Sequence, residues 1–346
     1  MEIVNLILPS LIQSVVVLGV LLTGVAYTTL AERKVSAYLQ DRLGPNRVGP
    51  FGLLQPVADG IKFFFKEDIT PKRAFKFTYF LAPLCTLIPA LITFAVIPFG
   101  ETISLNGKSY RLWIAENMDL GLVYILAVSS LGVYGIILAG LSSNNKYSLL
   151  GSLRSVNQVV SYEIALGLGI LPIALTSKGF NLDEIVKSQQ NGIWFVFPHF
   201  IAFIIFLVAV FAETNRLPFD LPEGESELVG GYHTEYSGLR FAMFFMGEYA
   251  NMITASALLV LLFFGGWNLP FIKYEYFGSI LGGLVSALVF CAKVAFFVFF
   301  FIWVRWTLPR FRYDQVMDLM WKKILPIGFI YLVLVGFYYF LIGAKI

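Results

Sequence analysis

Eight long apolar runs constrain this chain more than any other feature. They lie at roughly 6 to 30, 78 to 100, 120 to 141, 157 to 176, 193 to 212, 241 to 266, 280 to 304 and 324 to 343. At a rise of about 1.5 Å per residue, about 20 helical residues cross the hydrocarbon layer, so these runs are too long for helices buried in a soluble core. They lack the period-two alternation of a membrane barrel. Composition agrees: 58% of residues are hydrophobic and 14% charged. The expected fold is all-α, a polytopic transmembrane helical bundle of about eight membrane-spanning helices, forming a single integral membrane domain over 1–346.

Orientation follows from the basic residues. The connection from 31 to 77 holds Arg33, Lys34, Arg42, Arg47, Lys62, Lys66, Lys72, Arg73 and Lys76, and the last one adds Arg305, Arg310, Arg312, Lys322 and Lys323. The alternate connections carry only Lys108 and Arg111, Lys178 and Lys187, and Lys273. The positive-inside rule places the odd-numbered loops on the cytoplasmic side and both termini outside. This distribution also accounts for the net charge of +3 without nucleic acid. The start carries Glu2 and no basic segment, which predicts a retained helix and not a cleaved signal.

Several chemistries find no support. Cys85 and Cys291 lie far apart in apolar runs, so neither a disulfide framework nor an iron–sulfur cluster held by this chain alone is expected. His199 and His233 have no metal-ligand spacing, and neither a P-loop nor a dinucleotide fingerprint is present. The small residues at 167 to 169 suit close helix packing.

The ionisable groups point elsewhere. The inner-side segment ETNRLPFDLPEGESE gathers Glu213, Asp220, Glu223, Glu225 and Glu227 around the single base Arg216, where topology calls for Lys and Arg. Within the helices, Glu163 lies about six residues, roughly 9 Å, from the inner face, Glu248 about eight, roughly 12 Å, and Lys293 roughly 18 Å from its helix end. Charges there are costly, and a buried carboxyl can exchange a proton near neutral pH. The plainer alternative is a permanently protonated Glu, or a static Glu and Lys pair. A row of titratable sites running inward from the acidic loop is what a proton path needs.

The first long loop carries a second signal. In LLQPVADGIKFFFKED, Leu54, Val57, Ile61 and Phe64 recur at helical spacing, with Gln55, Asp59, Lys62 and Lys66 opposite and Pro56 in the first turn. An amphipathic interfacial helix is predicted, with Asp59 and Lys62 toward a polar cavity suited to a lipid-like ligand with a polar head. A plain surface anchor is the alternative. Upstream, RLGPNRVGP contains two Gly-Pro pairs that impose an irregular path and display Arg42 and Arg47.

Three blocks, AERKVSAYLQDRLGPNRVGPFGLLQPVADGIKFFFKED, FAETNRLPFDLPEGESELVGGYHTEYSGLRFAMFFMGEYANM and RWTLPRFRYDQVMDLMWKKILP, closely resemble the signature regions of the H-subunit family of NADH-quinone oxidoreductase, respiratory complex I. The loops near 101 to 119 and 177 to 192 carry no such signature. The resemblance implies a membrane subunit that walls part of a quinone-access tunnel. It implies peripheral-arm partners bearing the headgroup site and the terminal iron–sulfur cluster, small membrane and antiporter-like partners, and NADH, FMN and iron–sulfur clusters held on partner subunits. By the same resemblance, Arg33, Asp59, Lys62, Arg216 and Arg305 belong to the quinone cavity. Glu163, Glu213, Glu223, Glu225, Glu227 and Glu248 belong to the acidic proton-coupling path, with the loops 31–77 and 213–240 serving the cavity and partner docking. A bacterial plasma membrane is expected over a mitochondrial inner membrane. The competing classes are a free-standing proton or cation antiporter, a structural anchor, and the membrane subunit of an energy-converting hydrogenase.

Overall fold

The computed structural model describes residues 2–341 apart from 106–107, 111–112, 116–117, 191–192, 223 and 270–278. Seven helical stretches are long and apolar enough to cross a membrane, and an eighth apolar helix is shorter. In chain order the helices are α1 (Glu2–Leu39), α2 (Gln55–Phe65), α3 (Lys76–Ile92), α4 (Gly121–Ser142), α5 (Lys146–Ser177), α6 (Leu182–Gln190), α7 (Phe200–Glu213), α8 (Glu225–Leu228), α9 (Gly238–Phe263), α10 (Ser279–Thr307), α11 (Tyr313–Asp318) and α12 (Leu325–Leu341). A π-helical turn, Leu319–Ile324, joins α11 to α12, so 313–341 is one continuous rod. The only β structure among the described residues is a hairpin of β1 (Ile103–Leu105) and β2 (Lys108–Tyr110) in the connection between α3 and α4.

The eight apolar runs therefore become eight helices, with several shifted boundaries, among them the end of α1 at Leu39 and the start of the last rod at Tyr313. α5 begins at Lys146, eleven residues before the apolar run that marks it. Its first turns carry Ser148, Ser152, Ser155 and Gln158, all buried, so a polar but protein-facing stripe lowers the hydropathy without ending the helix. Asn145 caps it, accepting the Tyr147 amide at 3.0 Å. α7 starts only at Phe200, because Pro198 lies in the preceding turn and the stretch before it pairs elsewhere: the Val196 amide donates to the Phe263 carbonyl.

α9 sits at the centre, packing against α1, α3, α7 and α10, while α5 packs against α4, α7 and α12. Small residues allow the closest approaches. A Cβ on Gly135 of α4 would fall 2.8 Å from the Ala82 carbonyl of α3, and one on Gly169 of α5 would fall 2.9 Å from Phe206 of α7. Gly169 thus does what the small-residue stretch predicts.

α2 forms where the amphipathic helix is expected. Leu54, Val57, Ile61 and Phe64 are all exposed, and Asp59 turns back toward α1. The irregular path before it needs Gly52, whose φ is +75° and whose place would bring a Cβ within 2.2 Å of the Pro45 carbonyl oxygen.

The connection between α7 and α9 is tied down on several sides. The Phe311 amide donates to the Pro218 carbonyl, Arg310 pairs with Asp220 at 2.7 Å, and the Ser148 hydroxyl donates to the Tyr232 carbonyl at 2.8 Å. The Tyr79 and Tyr236 rings stack at 4.2 Å, and Asn145 donates to the Glu235 carboxylate at 2.6 Å.

Candidate functional site

Four separate elements bring charged groups to one buried point. Arg216, from the acidic loop, is 4% exposed and Glu32, from α1, is 5% exposed. The guanidinium Nη1 donates to both Glu32 oxygens at 3.1 and 3.2 Å, and Nε lies 2.8 Å from Glu248 Oε1 on α9. The Arg216 plane also stands 4.4 Å from the centre of the Tyr249 ring, and the Tyr249 hydroxyl donates to Glu32 Oε2 at 2.6 Å. Arg305 of α10 completes the group through a short ion pair to Glu32 Oε1.

Two carboxylates and two guanidiniums make this cluster charge-balanced, the condition under which buried ions persist. Burial opposes the Arg216 charge, but Glu248 and Glu32 overcompensate and hold its pKa above the ordinary arginine value. Arg216 Nη2 is nonetheless buried without a hydrogen-bond partner among the described residues, so the fork is not fully spent.

Two kinds of space flank the cluster. On the lipid side an apolar groove of about 360 Å³ runs between α1, α9 and α10, lined by Leu21, Thr28, Ala31, Ile253, Val294 and Ile302. Ala31 adjoins Glu32 in sequence, and Ile302 lies one helical turn before Arg305, so the groove ends beside the charges. On the opposite side, a polar cavity of about 40 Å³ is lined by Glu213, Glu248, Ser129, Thr214, Asn215 and Asn251. A neighbouring space of about 20 Å³ shares Ser129, Glu213, Thr214 and Asn251. A water needs about 10–15 Å³ of such volume and two to four polar partners, so these spaces are large enough for water. Glu163 lies near enough to Glu213 for their carboxyls to repel, and Glu163 Oε1 is buried without a hydrogen-bond partner among the described residues.

Of the residues expected from sequence, Arg216, Glu248 and Arg305 meet in the cluster, Glu213 lines the polar cavity beside Glu248, and Glu163 lies near Glu213 without lining that cavity. Arg33 and Asp59 pair at 2.6 Å, but at the surface between α1 and α2, with Gln55 also donating to Asp59 at 2.9 Å. Lys62 is exposed and lines neither the apolar groove nor the polar cavity described above. Glu227 is exposed and pairs with Arg154 of α5, apart from the buried cluster. Glu223 and the side chain of Glu225 fall outside the described residues. Lys293 does not join the row of acids. Its ammonium donates to the carbonyls of Phe264, Gly266 and Asn268 at 2.8, 2.8 and 2.6 Å, because the end of α9 leaves those oxygens free.

Sequence reasoning missed Glu32, Tyr249 and Asn251. A signal for Glu32 exists: Leu21, Val25, Thr28, Glu32 and Ser36 form one buried stripe at helical spacing, whereas Arg33 lies off it. No group of three or more His, Cys, Asp or Glu able to hold a metal occurs among the described residues.

These features define a polytopic membrane protein whose ionisable groups link a lipid-facing groove to a small polar cavity. A family model described as NADH dehydrogenase matches residues 12–336. The chain is 51% identical over 335 residues to the second NADH-quinone oxidoreductase H-subunit of Koribacter versatilis, covering 93% of this chain and 94% of the relative. It is 54% identical over 318 residues to the H-subunit of Leptospira biflexa (89% and 88% covered), and 47% identical over 310 residues to the first H-subunit of Cytophaga hutchinsonii (90% of each). The chain belongs to the H-subunit family of NADH-quinone oxidoreductase, and is thus a membrane subunit of complex I.

Proposed function

We propose that this chain guides quinone from the bilayer toward the reducing partner subunit and converts the resulting charge change into proton movement through its buried acids. The observation that carries this reading is the sharing of one buried guanidinium, Arg216, between Glu32 beside the apolar groove and Glu248 beside the polar cavity.

The groove suits an isoprenoid tail, being long, apolar and open to lipid. Quinone reduction consumes two electrons, supplied by a partner subunit, and two protons. A change of charge on the groove side weakens or strengthens the hold of Glu32 on Arg216. Because Arg216 sits on a loop, it shifts between its two carboxylates, and Glu248 gains or loses its counter-ion. Its proton affinity changes accordingly. Protons then pass among Glu248, Glu213 and Glu163 through water in the intervening cavity, as one coupled set. Electron donors, NADH, FMN and iron–sulfur clusters reside on partner subunits, and small membrane and antiporter-like subunits receive the protons. Arg33, Asp59, Lys62 and the exposed apolar face of α2 lie at the mouth, and Glu223, Glu225 and Glu227 extend the acidic proton-coupling chain on the loop that also serves partner docking. A bacterial plasma membrane is the proposed location.

The test uses the membrane-embedded complex and a photoreactive quinone with an isoprenoid tail. Labelling is expected at groove residues of α1 and α10, and Val294→Trp should raise the KM for quinone several-fold with little change in kcat. Labelling confined to partner subunits, with an unchanged KM in Val294→Trp, would contradict the reading.

A further inference from the structure

The outer half of the bundle holds a cation that the coupling scheme leaves unused. Lys293, midway along α10, spends all three ammonium donors on the carbonyls of Phe264, Gly266 and Asn268 and stands 4.7 Å from the centre of the Trp194 ring. It has no carboxylate partner among the described residues; the C-terminal dipole of α9 offsets part of its charge.

The surroundings form a tight closure. Gln189 of α6 accepts from the amides of Phe195 and Gly265 and donates to the Leu261 carbonyl, tying three outer segments together. Gly265 and Gly266 both have positive φ, and a Cβ on either would meet Trp194 or Val186 at 2.8 Å. Outside this closure lies a polar pocket of about 230 Å³, lined by Glu101, Asp183, Lys187, Gln190, Trp113 and Trp267. Gln190 reaches the closure directly, donating to Asn268, whose carbonyl receives the Lys293 ammonium. Inside it, α9 passes through the fully buried apolar stretch Leu258–Phe263 before polar groups resume. The hydroxyls of Ser256 and Thr254 are spent on carbonyls of their own helix. The first residue that lines the polar cavity with Glu213 and Glu248 is Asn251.

We infer that Lys293 is the outer electrostatic seal of the bundle: a positive charge between an outward-facing polar pocket and the inner polar cavity, which stops hydronium and metal cations from leaking back along α9. The physics is that of pore residues that exclude protons by charge. Helix packing alone would need only hydrogen-bond donors at this point; exclusion of cations needs the charge. The inference rests on the proposed proton role of the inner acids.

Lys293→Gln, Lys293→Met and Lys293→Arg are made in the intact complex and assayed in sealed membrane vesicles. Passive proton conductance is measured with no electron donor present, and quinone reductase activity is measured separately. In Lys293→Gln, which retains donors but no charge, passive conductance should rise about tenfold or more, since a unit charge at close range is worth over a decade in rate. Reductase activity should stay within about twofold of wild type, well under one decade. Lys293→Met should leak as much, and Lys293→Arg should stay tight. A tight Lys293→Gln or Lys293→Met vesicle would overturn the seal. So would failure of all uncharged variants to assemble, which would make the ammonium a folding requirement. Because the leak is read without turnover, it stands apart from any failure of the coupling role assigned to Glu248.

Discussion

Replacing Arg216 with Met removes the cation that Glu32 and Glu248 share. Glu32 keeps Arg305 and the Tyr249 hydroxyl, but Glu248 is left with no ion-pair partner among the described residues. Stranding one partner of a buried pair costs about 3–5 kcal/mol. At about 1.4 kcal/mol per decade, that is two to nearly four powers of ten in the folded population. The Tyr249 ring also loses its stacked cation. The solubilised complex carrying Arg216→Met should lose its midpoint of thermal disassembly by several degrees and assemble in reduced amount. Arg216→Met with Glu248→Gln removes the stranded carboxylate as well, so the double variant should be more stable than the single one. Arg216→Lys should fall between, because an ammonium cannot bridge two acids with a planar fork. An Arg216→Met complex as stable as wild type, or a double variant that merely sums the two single losses, would refute the shared-cation argument.

Other consequences can be checked separately. Gln158 donates to the buried carbonyls of Ala212 and Phe219 at 2.7 Å each, so Gln158→Leu should destabilise the start of the acidic loop by about 1–3 kcal/mol per orphaned carbonyl, read as faster amide exchange over 212–221. Burial lowers the His233 pKa from 6.5 to about 4, so the folded loop favours the neutral ring. Between those values the unfolded loop binds more protons, and its stabilisation, full above pH 6.5, is lost as pH falls toward 4. Amide exchange over 228–237, corrected for intrinsic rates, should therefore accelerate on acidification in wild type and lose that extra dependence in His233→Phe. Gly135→Val should block the α3 and α4 approach and abolish assembly, seen as absence of the chain from the purified complex.

The membrane spans were legible because hydrocarbon thickness imposes a length that apolar runs cannot hide. Boundaries failed where burial and polarity part company: the start of α5 is polar yet faces protein, so hydropathy reads it as loop. Within the acidic segment, proximity in sequence was a poor guide to function. Glu227 sits near Arg216 in the chain but ends exposed on Arg154, while Glu32, 184 residues away, is the partner that buries with it. Helical phase along α1 contained that information, yet the adjacent Arg33 drew attention by its charge. The depth of Lys293 was readable from its distance to Arg305. Its partners were not, because backbone carbonyls at a helix end have no residue letter beyond the glycines that follow.

Glu248→Gln tests the central claim most directly, since it keeps the side-chain shape and a hydrogen-bonding oxygen toward Arg216 while removing the exchangeable proton. In vesicles containing normally assembled complex, proton uptake per quinone reduced should fall well below wild type. Reductase activity and pumping both at wild-type levels would contradict the account.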